Sequence, residues 1–261
     1  MNTVTQLHDS FTGTFSYLSE VVGADDPAAP TPTVAALLAR PDLADILTRR
    51  CGATAAPATR RAAASMWSQY YCAVAGVPVV AAAMLAGRRL PVAPDACRIA
   101  CDPTGQPCGF RIAADAVLAP APDPLAVIDA LICDHLMPVF DRLAVAGRMA
   151  PRLLWCNAAS ILVWAARVGA SIRGDDALAA AARDRILARD DIAPGLANPL
   201  KGALILRPAD EVADDESPFR RKICCLRYQL EGFADCGTLC PLPDRAAPAA
   251  RPGCPPAEDQ T

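Results

Sequence analysis

The spacing of apolar residues along most of the chain is that of amphipathic helices. Apolar side chains recur every three to four residues, which places them together on one face of a helix. Thr33 is a predicted N-cap, and Pro41 ends the helix that begins there. The predicted helices cover residues 1–22, 33–40, 59–75, 79–85, 125–146, 152–168 and 175–189.

Two stretches alternate between apolar and polar residues instead, with a turn sequence between them. Residues 97–101 and 108–112 alternate, and residues 102–105 carry Asp, Pro and Gly, so together they predict a β-hairpin. Residues 203–206 predict a further strand. The pattern therefore indicates an α+β fold that is predominantly helical, with a small β-hairpin and a loop-rich C-terminal segment.

The longest uncharged stretch, residues 66–87, has the length of a membrane span. It contains Ser68, Gln69 and two tyrosines, and most of its apolar residues are alanine and valine. Two buried core helices, separated at residues 76–78 where Gly and Pro occur, account for it better than a span does.

Changes in composition divide the chain into three parts. Residues 1–209 form the α-rich part. Residues 210–216 are mostly acidic and predict a solvated linker, and residues 217–243 are dense in cysteine. Residues 244–261 are rich in Pro and Ala and predict a disordered tail.

Composition and charge exclude several classes of protein. The 261 residues are 53% hydrophobic and carry a net charge of -3, so the chain is not disordered as a whole and is not expected to bind nucleic acid. Residues 1–9 lack the basic and apolar regions of a signal peptide. In a reducing cytosol, the twelve cysteines predict metal ligands where they cluster and core thiols where they are scattered.

Four cysteines cluster near the C-terminus in the pattern C-C-x10-C-x3-C. They are Cys224, Cys225, Cys236 and Cys240. Four thiolates suit either an iron–sulfur cluster or a tetrahedral zinc ion. Adjacent cysteines are unusual in zinc knuckles, whereas a two-iron cluster offers two metal positions, so the spacing favours iron–sulfur over zinc and over thiols that bind no metal.

Positive charge surrounds these cysteines in sequence, at Arg220, Arg221, Lys222 and Arg227. Cations near a negatively charged cluster stabilise its reduced form and attract an acidic electron donor. Solvated charges on a linker would give the same pattern.

At these residues the chain resembles the FhuF-like family of siderophore ferric reductases. The family carries a [2Fe–2S] cluster on a C-terminal C-C-x10-C-x2-C motif, and the chain departs from it by one additional residue before Cys240. Residues 135–138 and 154–159 are similar to the family's H-L-x-P and L-W-x-N-x-A stretches. The resemblance extends from about residue 60 to residue 243.

The resemblance implies a cytoplasmic ferric-siderophore reductase, with association with the inner face of the membrane as an alternative location. A [2Fe–2S] cluster held by the four cysteines would pass one electron to chelated Fe(III) and release Fe(II). The sequence shows no G-x-G-x-x-G nucleotide fingerprint, so we expect a ferredoxin or a flavin reductase as electron donor.

Five further residues are candidate substrate contacts: His135, Trp155, Asn157, Arg221 and Arg227. A structural role is the simpler expectation for a lone histidine and for a buried asparagine that needs hydrogen-bond partners. A second metal site at Cys97, Cys101 and Cys108 is less expected than ordinary packing in the hairpin.

Two other functions are compatible with the sequence. One is a non-catalytic binding protein stabilised by zinc. The other is an enzyme like the siderophore synthetases, which would need a nucleotide site that the sequence does not show.

Overall fold

The computed structural model describes residues 3–52, 54–113, 115–208, 212, 217–233 and 236–242. The predicted tail at residues 244–261 and most of the predicted linker lie outside these ranges. In them the α-helices are α1 (Thr3–Ser10), α2 (Leu18–Val21), α3 (Val34–Leu38), α4 (Leu43–Thr48), α5 (Pro57–Ala81), α6 (Pro124–Ala130), α7 (Met137–Gly147), α8 (Pro151–Arg173) and α9 (Asp176–Leu187).

The strands are short. They are β1 (Val22–Ala24), β2 (Arg88–Arg89), β3 (Arg98–Cys101), β4 (Pro107–Ile112), β5 (Ala119–Pro120), β6 (Asp191–Ala193), β7 (Leu196–Ala197), β8 (Leu204–Leu206) and β9 (Phe219–Arg221). The largest sheet has three strands in the order β1-β4-β3, and the others are pairs. The predominantly helical α+β class predicted from the sequence is confirmed.

Helices α5 and α8 form the centre of the core and pack closely against each other. Leu162 on α8 is fully buried and lies against Gly76 on α5, where a Cβ would be only 3.1 Å from the leucine Cδ2. Gly169 on α8 likewise gives room to the side chain of Met84. Small residues at these crossings let two long helices share one apolar interface.

The predicted break at residues 76–78 is wrong. Helix α5 continues through Pro78 to Ala81 and then passes into a π-helical turn at Ala82–Ala86 that ends at Gly87, with a φ of 60°. Proline inside a helix costs about 3 kcal/mol because it removes one hydrogen bond. Pro78 is buried on a helix that is packed along its length, and this packing holds the helix together.

The predicted single helix over residues 1–22 is also wrong. Gly13 adopts a left-handed backbone with a φ of 56°, which ends α1 and allows a 3₁₀ turn before α2. The chain then continues into β1, whose Val22 pairs in parallel with Phe110 of β4.

The predicted hairpin is confirmed as β3 and β4, which pair antiparallel with Ile99 opposite Phe110. The Asp102 carboxylate accepts hydrogen bonds from the backbone N–H groups of Thr104 and Gln106, which closes the turn. The predicted strand at residues 203–206 is confirmed as β8. Its partner β9 was not predicted, and it places Arg221 opposite Leu204.

Two helical stretches are long and apolar enough to cross a membrane, Pro57–Ala86 and Pro151–Arg173. The most apolar windows of these stretches are 78% and 83% buried within the fold. Core helices of soluble proteins have the same properties, so these stretches are weak evidence for a membrane span.

We predict that Leu162→Ala lowers the free energy of unfolding by about 2–5 kcal/mol, because it opens a cavity between α5 and α8. Val145→Ala is the control, since Val145 is 73% exposed, and it should change stability by less than about 0.5 kcal/mol. Urea denaturation of both variants measures the difference. Equal stability of the two variants would contradict the central role of this interface.

Candidate metal centre

The four clustered cysteines lie on a loop-rich segment that follows β9. A 3₁₀ turn at Arg227–Gln229 comes after Cys224 and Cys225, and a second one occupies Gly237–Leu239. Cys236 and Cys240 flank this second turn directly, and the N–H of Cys240 donates to the carbonyl of Gly237 at 2.9 Å. The three residues between these cysteines therefore form one compact turn.

Cys225 ties this segment to the hydrophobic core. Its side chain is buried, and its carbonyl accepts a hydrogen bond of 2.8 Å from Oγ of Ser65 on α5. The next residue, Leu226, has a left-handed backbone with a φ of 64°, and its N–H points to Sγ of Cys224 at 3.3 Å. The reversal at Leu226 thus brings its N–H group back to the Cys224 sulfur.

The sulfur atoms are close enough to interact with one another. Sγ of Cys225 lies 3.8 Å from Sγ of Cys236. Hydrogen bonding with Cys224, and then with Cys236, lowers the pKa of the Cys225 thiol, and the same contacts raise the pKa of Cys224 and of Cys236. A negative charge on Cys240 contributes further to both increases.

This donor set fits an iron–sulfur cluster. Two sulfurs that share one tetrahedral metal at about 2.3 Å lie about 3.8 Å apart, which is the separation of Cys225 and Cys236. Among the described residues, no three His, Cys, Asp or Glu side chains surround a single metal position. Cys224, Cys236 and Cys240 are half-buried, whereas Cys225 is buried.

Arg221 lies on β9, three residues before Cys224, and only 4% of its surface is exposed. Its Nε and Nη2 atoms donate to Oγ of Ser160 at 3.2 and 3.0 Å, and Nη2 also donates to Oε1 of Gln69 at 3.4 Å. Nη1 is buried and has no hydrogen-bond partner within the described ranges.

The charge of Arg221 acts on the cysteines. The thiol hydrogen bonds have the largest effect on the pKa of Cys225, and the charge of Arg221 lowers this pKa further. At Cys236 the same charge offsets part of the increase in pKa. A buried cation is costly unless a negative group compensates it. An anionic cluster on the four thiolates would supply that compensation and a hydrogen-bond acceptor for Nη1.

The other three cations predicted to surround the cysteines are placed differently. Arg220 and Lys222 are exposed to solvent. Arg227 is half-buried, and its Nε atom lies 3.3 Å from Sδ of Met66 on α5. Of these four cations, Arg221 is the one whose charge acts on the pKa of the cysteine thiols. Its side chain is buried, whereas a contact with a bound substrate would need an accessible side chain.

Asn157 belongs to a buried hydrogen-bond network that supports Cys225. Its Nδ2 atom donates to Oγ of Ser65 at 3.1 Å and to Oγ of Ser68 at 3.2 Å. Since Ser65 in turn holds the Cys225 carbonyl, Asn157 connects α8 to the metal centre through α5. Asn157 is fully buried and its hydrogen bonds are internal to the fold, while its predicted contact with substrate stays a prediction.

His135 and Trp155 lie in the hydrophobic core, away from solvent. His135 is 1% exposed; Tyr71 Oη lies 2.6 Å from its Nε2, and the carbonyl oxygen of Val92 lies 2.6 Å from its Nδ1. Burial lowers the pKa of His135 to about 4, so the ring is neutral. Trp155 packs edge-on against Phe140. Neither position is open to a bound molecule.

The hairpin cysteines show no sign of a second metal site. Cys97 is buried, and Cys101 and Cys108 are exposed. Desolvation raises the pKa of Cys97 to about 12 and of Cys101 to about 11, which keeps both thiols protonated. The packing role predicted for these cysteines is confirmed for Cys97 and is wrong for Cys101, whose side chain is exposed.

The sequence analysis did not identify three residues that hydrogen-bond to Cys225 or Arg221: Ser65, Gln69 and Ser160. Each is a buried polar residue on a long apolar helix. Ser65, Ser68 and Gln69 recur at helical spacing on α5, as Asn157 and Ser160 do on α8. This pair of polar stripes is the signal that would have revealed them.

Two family models match the chain, one over its α-rich part and one over the cysteine segment. The family model described as ferric iron reductase FhuF-like transporter matches residues 65–214, and the model described as FhuF 2Fe-2S C-terminal domain matches residues 221–242. The chain therefore belongs to the FhuF-like ferric iron reductase family, and its four-cysteine segment is a [2Fe–2S] domain.

The chain is also similar to a protein of known name. The chain is 25% identical over 174 residues to the ferric siderophore reductase of Escherichia coli strain K12. The match covers 66% of this chain and 63% of that protein, which is less than two thirds of the relative's length.

We predict that Arg221→Gln lowers the midpoint potential of the cluster, because the reduced and more negative form loses its buried cation. A loss of about 1.4 kcal/mol corresponds to about 59 mV for one electron. Arg220→Gln removes an exposed neighbouring charge, and its potential should stay within roughly 15 mV of the parent value because solvent screens it. Redox titration followed by EPR measures both. Equal shifts in the two variants would contradict a special role for Arg221.

Proposed function

We propose that this protein reduces Fe(III) held by a siderophore and so releases the iron as Fe(II). The observation that carries the proposal is the [2Fe–2S] segment, in which Sγ of Cys225 lies 3.8 Å from Sγ of Cys236 and the buried charge of Arg221 acts on both thiols. The family and the curated relative support a ferric chelate as the electron acceptor.

The chemistry follows from the preferences of the iron ion. Oxygen chelators bind Fe(III), a hard ion, very tightly and bind Fe(II) far more weakly. When bound, the [2Fe–2S] cluster supplies the single electron that converts chelated Fe(III) to Fe(II). No general acid, base or nucleophile is needed for this conversion.

The residues of the chain have three tasks in this function. Cys224, Cys225, Cys236 and Cys240 hold the cluster. Ser65 and, through it, Asn157 keep Cys225 fixed against the core. Arg221 stabilises the added negative charge after reduction.

We also propose that the electron enters from a separate donor, a ferredoxin or a flavin reductase. Arg220 and Lys222 are exposed near the cysteines and would attract an acidic donor surface. A cytoplasmic location fits the exposed and unpaired thiols of Cys101 and Cys108, because a reducing compartment preserves such thiols.

We predict that Cys224→Ser and Cys236→Ser each abolish the visible absorption of the cluster and reduce ferric-siderophore reductase activity by at least about 100-fold. Cys108→Ser changes an exposed thiol outside the segment and should retain both. Absorption spectra of anaerobically purified protein and trapping of Fe(II) by ferrozine provide the two measurements.

Two results would contradict the proposal. Full activity in both cysteine variants would show that these thiols do not hold the cluster. A colourless parent protein with stoichiometric zinc, still colourless after reconstitution with iron and sulfide, would favour the zinc-stabilised binding protein.

A further inference from the structure

A cleft of about 280 Å³ opens next to the cysteine segment. Its walls come from α4, the first half of α5, the turn of the β3–β4 hairpin and the loop before Cys236. We call it the aromatic cleft. Its main lining side chains are Arg50, Met66, Trp67, Tyr70, Leu230 and Phe233.

The aromatic cleft shares its walls with the metal centre. Leu230 and Phe233 belong to the ten residues between Cys225 and Cys236. Met66 follows Ser65, which holds the Cys225 carbonyl, and Sδ of Met66 lies 3.3 Å from Nε of Arg227. A molecule in the cleft would therefore contact the cysteine segment directly, through Leu230 and Phe233.

Three aromatic rings, one guanidinium and one carboxylate are among the groups that line the cleft. The Arg50 guanidinium lies 4.5 Å from the centre of the Phe233 ring and donates to Oε1 of Gln106 at 2.7 Å. Trp67 is fixed by a hydrogen bond of 2.8 Å from its Nε1 to the Gly105 carbonyl and by stacking on Tyr71. Glu231 is exposed at the rim as the acidic lining residue.

The aromatic rings and the Arg50 guanidinium suit a flat, oxygen-rich ligand. Aromatic rings stack on planar groups, and a guanidinium binds oxygen anions with directed hydrogen bonds. Catecholate and hydroxamate, the bidentate groups that bind Fe(III) in many chelators, are both planar and oxygen-rich. The volume admits one such arm of a chelate and leaves the bulk of the ligand outside.

We propose that the aromatic cleft binds one planar bidentate arm of the ferric chelate, with Arg50 and Phe233 as its specificity-determining contacts. The inference rests on the proposed reductase function, to which it adds a binding site and a class of substrate. Docking of one arm holds the chelated iron beside the cysteine segment.

Gallium(III) chelates test the binding without electron transfer, because Ga(III) has a radius close to that of Fe(III) and no accessible divalent state. Titration calorimetry of the oxidised, cluster-loaded protein with a gallium tris-hydroxamate and a gallium tris-catecholate gives the dissociation constants. We expect Arg50→Gln and Phe233→Ala each to weaken binding about tenfold for at least one of the two chelates. Arg49→Gln is the control, since Arg49 is exposed, adjacent in sequence and absent from the cleft lining.

Kinetics provide a second readout. For the matching ferric chelates, both variants should raise KM about tenfold and leave kcat and the visible spectrum of the cluster unchanged. Reduction of Fe(III)-EDTA, which has no planar bidentate arm, should be the same in all variants.

The outcomes separate this inference from the proposed function. A parent protein that reduces ferric chelates, with Arg50→Gln and Phe233→Ala indistinguishable from Arg49→Gln, would overturn the cleft assignment and leave the reductase function intact. A parent protein with an intact cluster that neither binds the gallium chelates nor reduces the ferric ones would overturn both.

Discussion

The hydrogen bond from Ser65 to the Cys225 carbonyl joins the metal centre to the hydrophobic core, and the arrangement of the site depends on it. Ser65 lies on α5, whose position is fixed by close packing against α8. Asn157 on α8 holds Ser65 in turn. The cysteine segment, which also packs Ile223 and Leu226 against the core, is thus joined to the interface between two long buried helices.

Burial of Arg221 imposes the second constraint. Its hydrogen bonds to Ser160 and Gln69 leave Nη1 unsatisfied within the described ranges. A buried guanidinium with an unused donor is expensive in a protein interior. Thiolates that hold an anionic cluster would supply the compensating charge and an acceptor for Nη1, which would explain why a cation is buried beside this segment.

Sequence patterns predicted the elements whose stability is local. Helices α8 and α9 follow from apolar periodicity, and the hairpin follows from alternation around a turn closed by Asp102. Cysteine spacing located the metal centre, because metal ligation needs thiols that are close in sequence or fold. The departure before Cys240 is accommodated by a single 3₁₀ turn.

Features that depend on distant contacts were not predictable in this way. The pairing of β1 with β4 and of β9 with β8 joins residues far apart in sequence. Pro78 remains helical because surrounding packing outweighs its local preference. The roles of Asn157 and Arg221 also depend on burial, which residue type alone does not reveal.

The most direct test of the account is a single-turnover experiment with the fully loaded protein. The cluster is reduced with one electron equivalent under anaerobic conditions and mixed with an excess of ferric siderophore in a stopped-flow instrument. The account predicts that the cluster reoxidises as Fe(II) appears, at the same rate and with about one Fe(II) per cluster. A cluster that stays reduced in the presence of the ferric siderophore would contradict it.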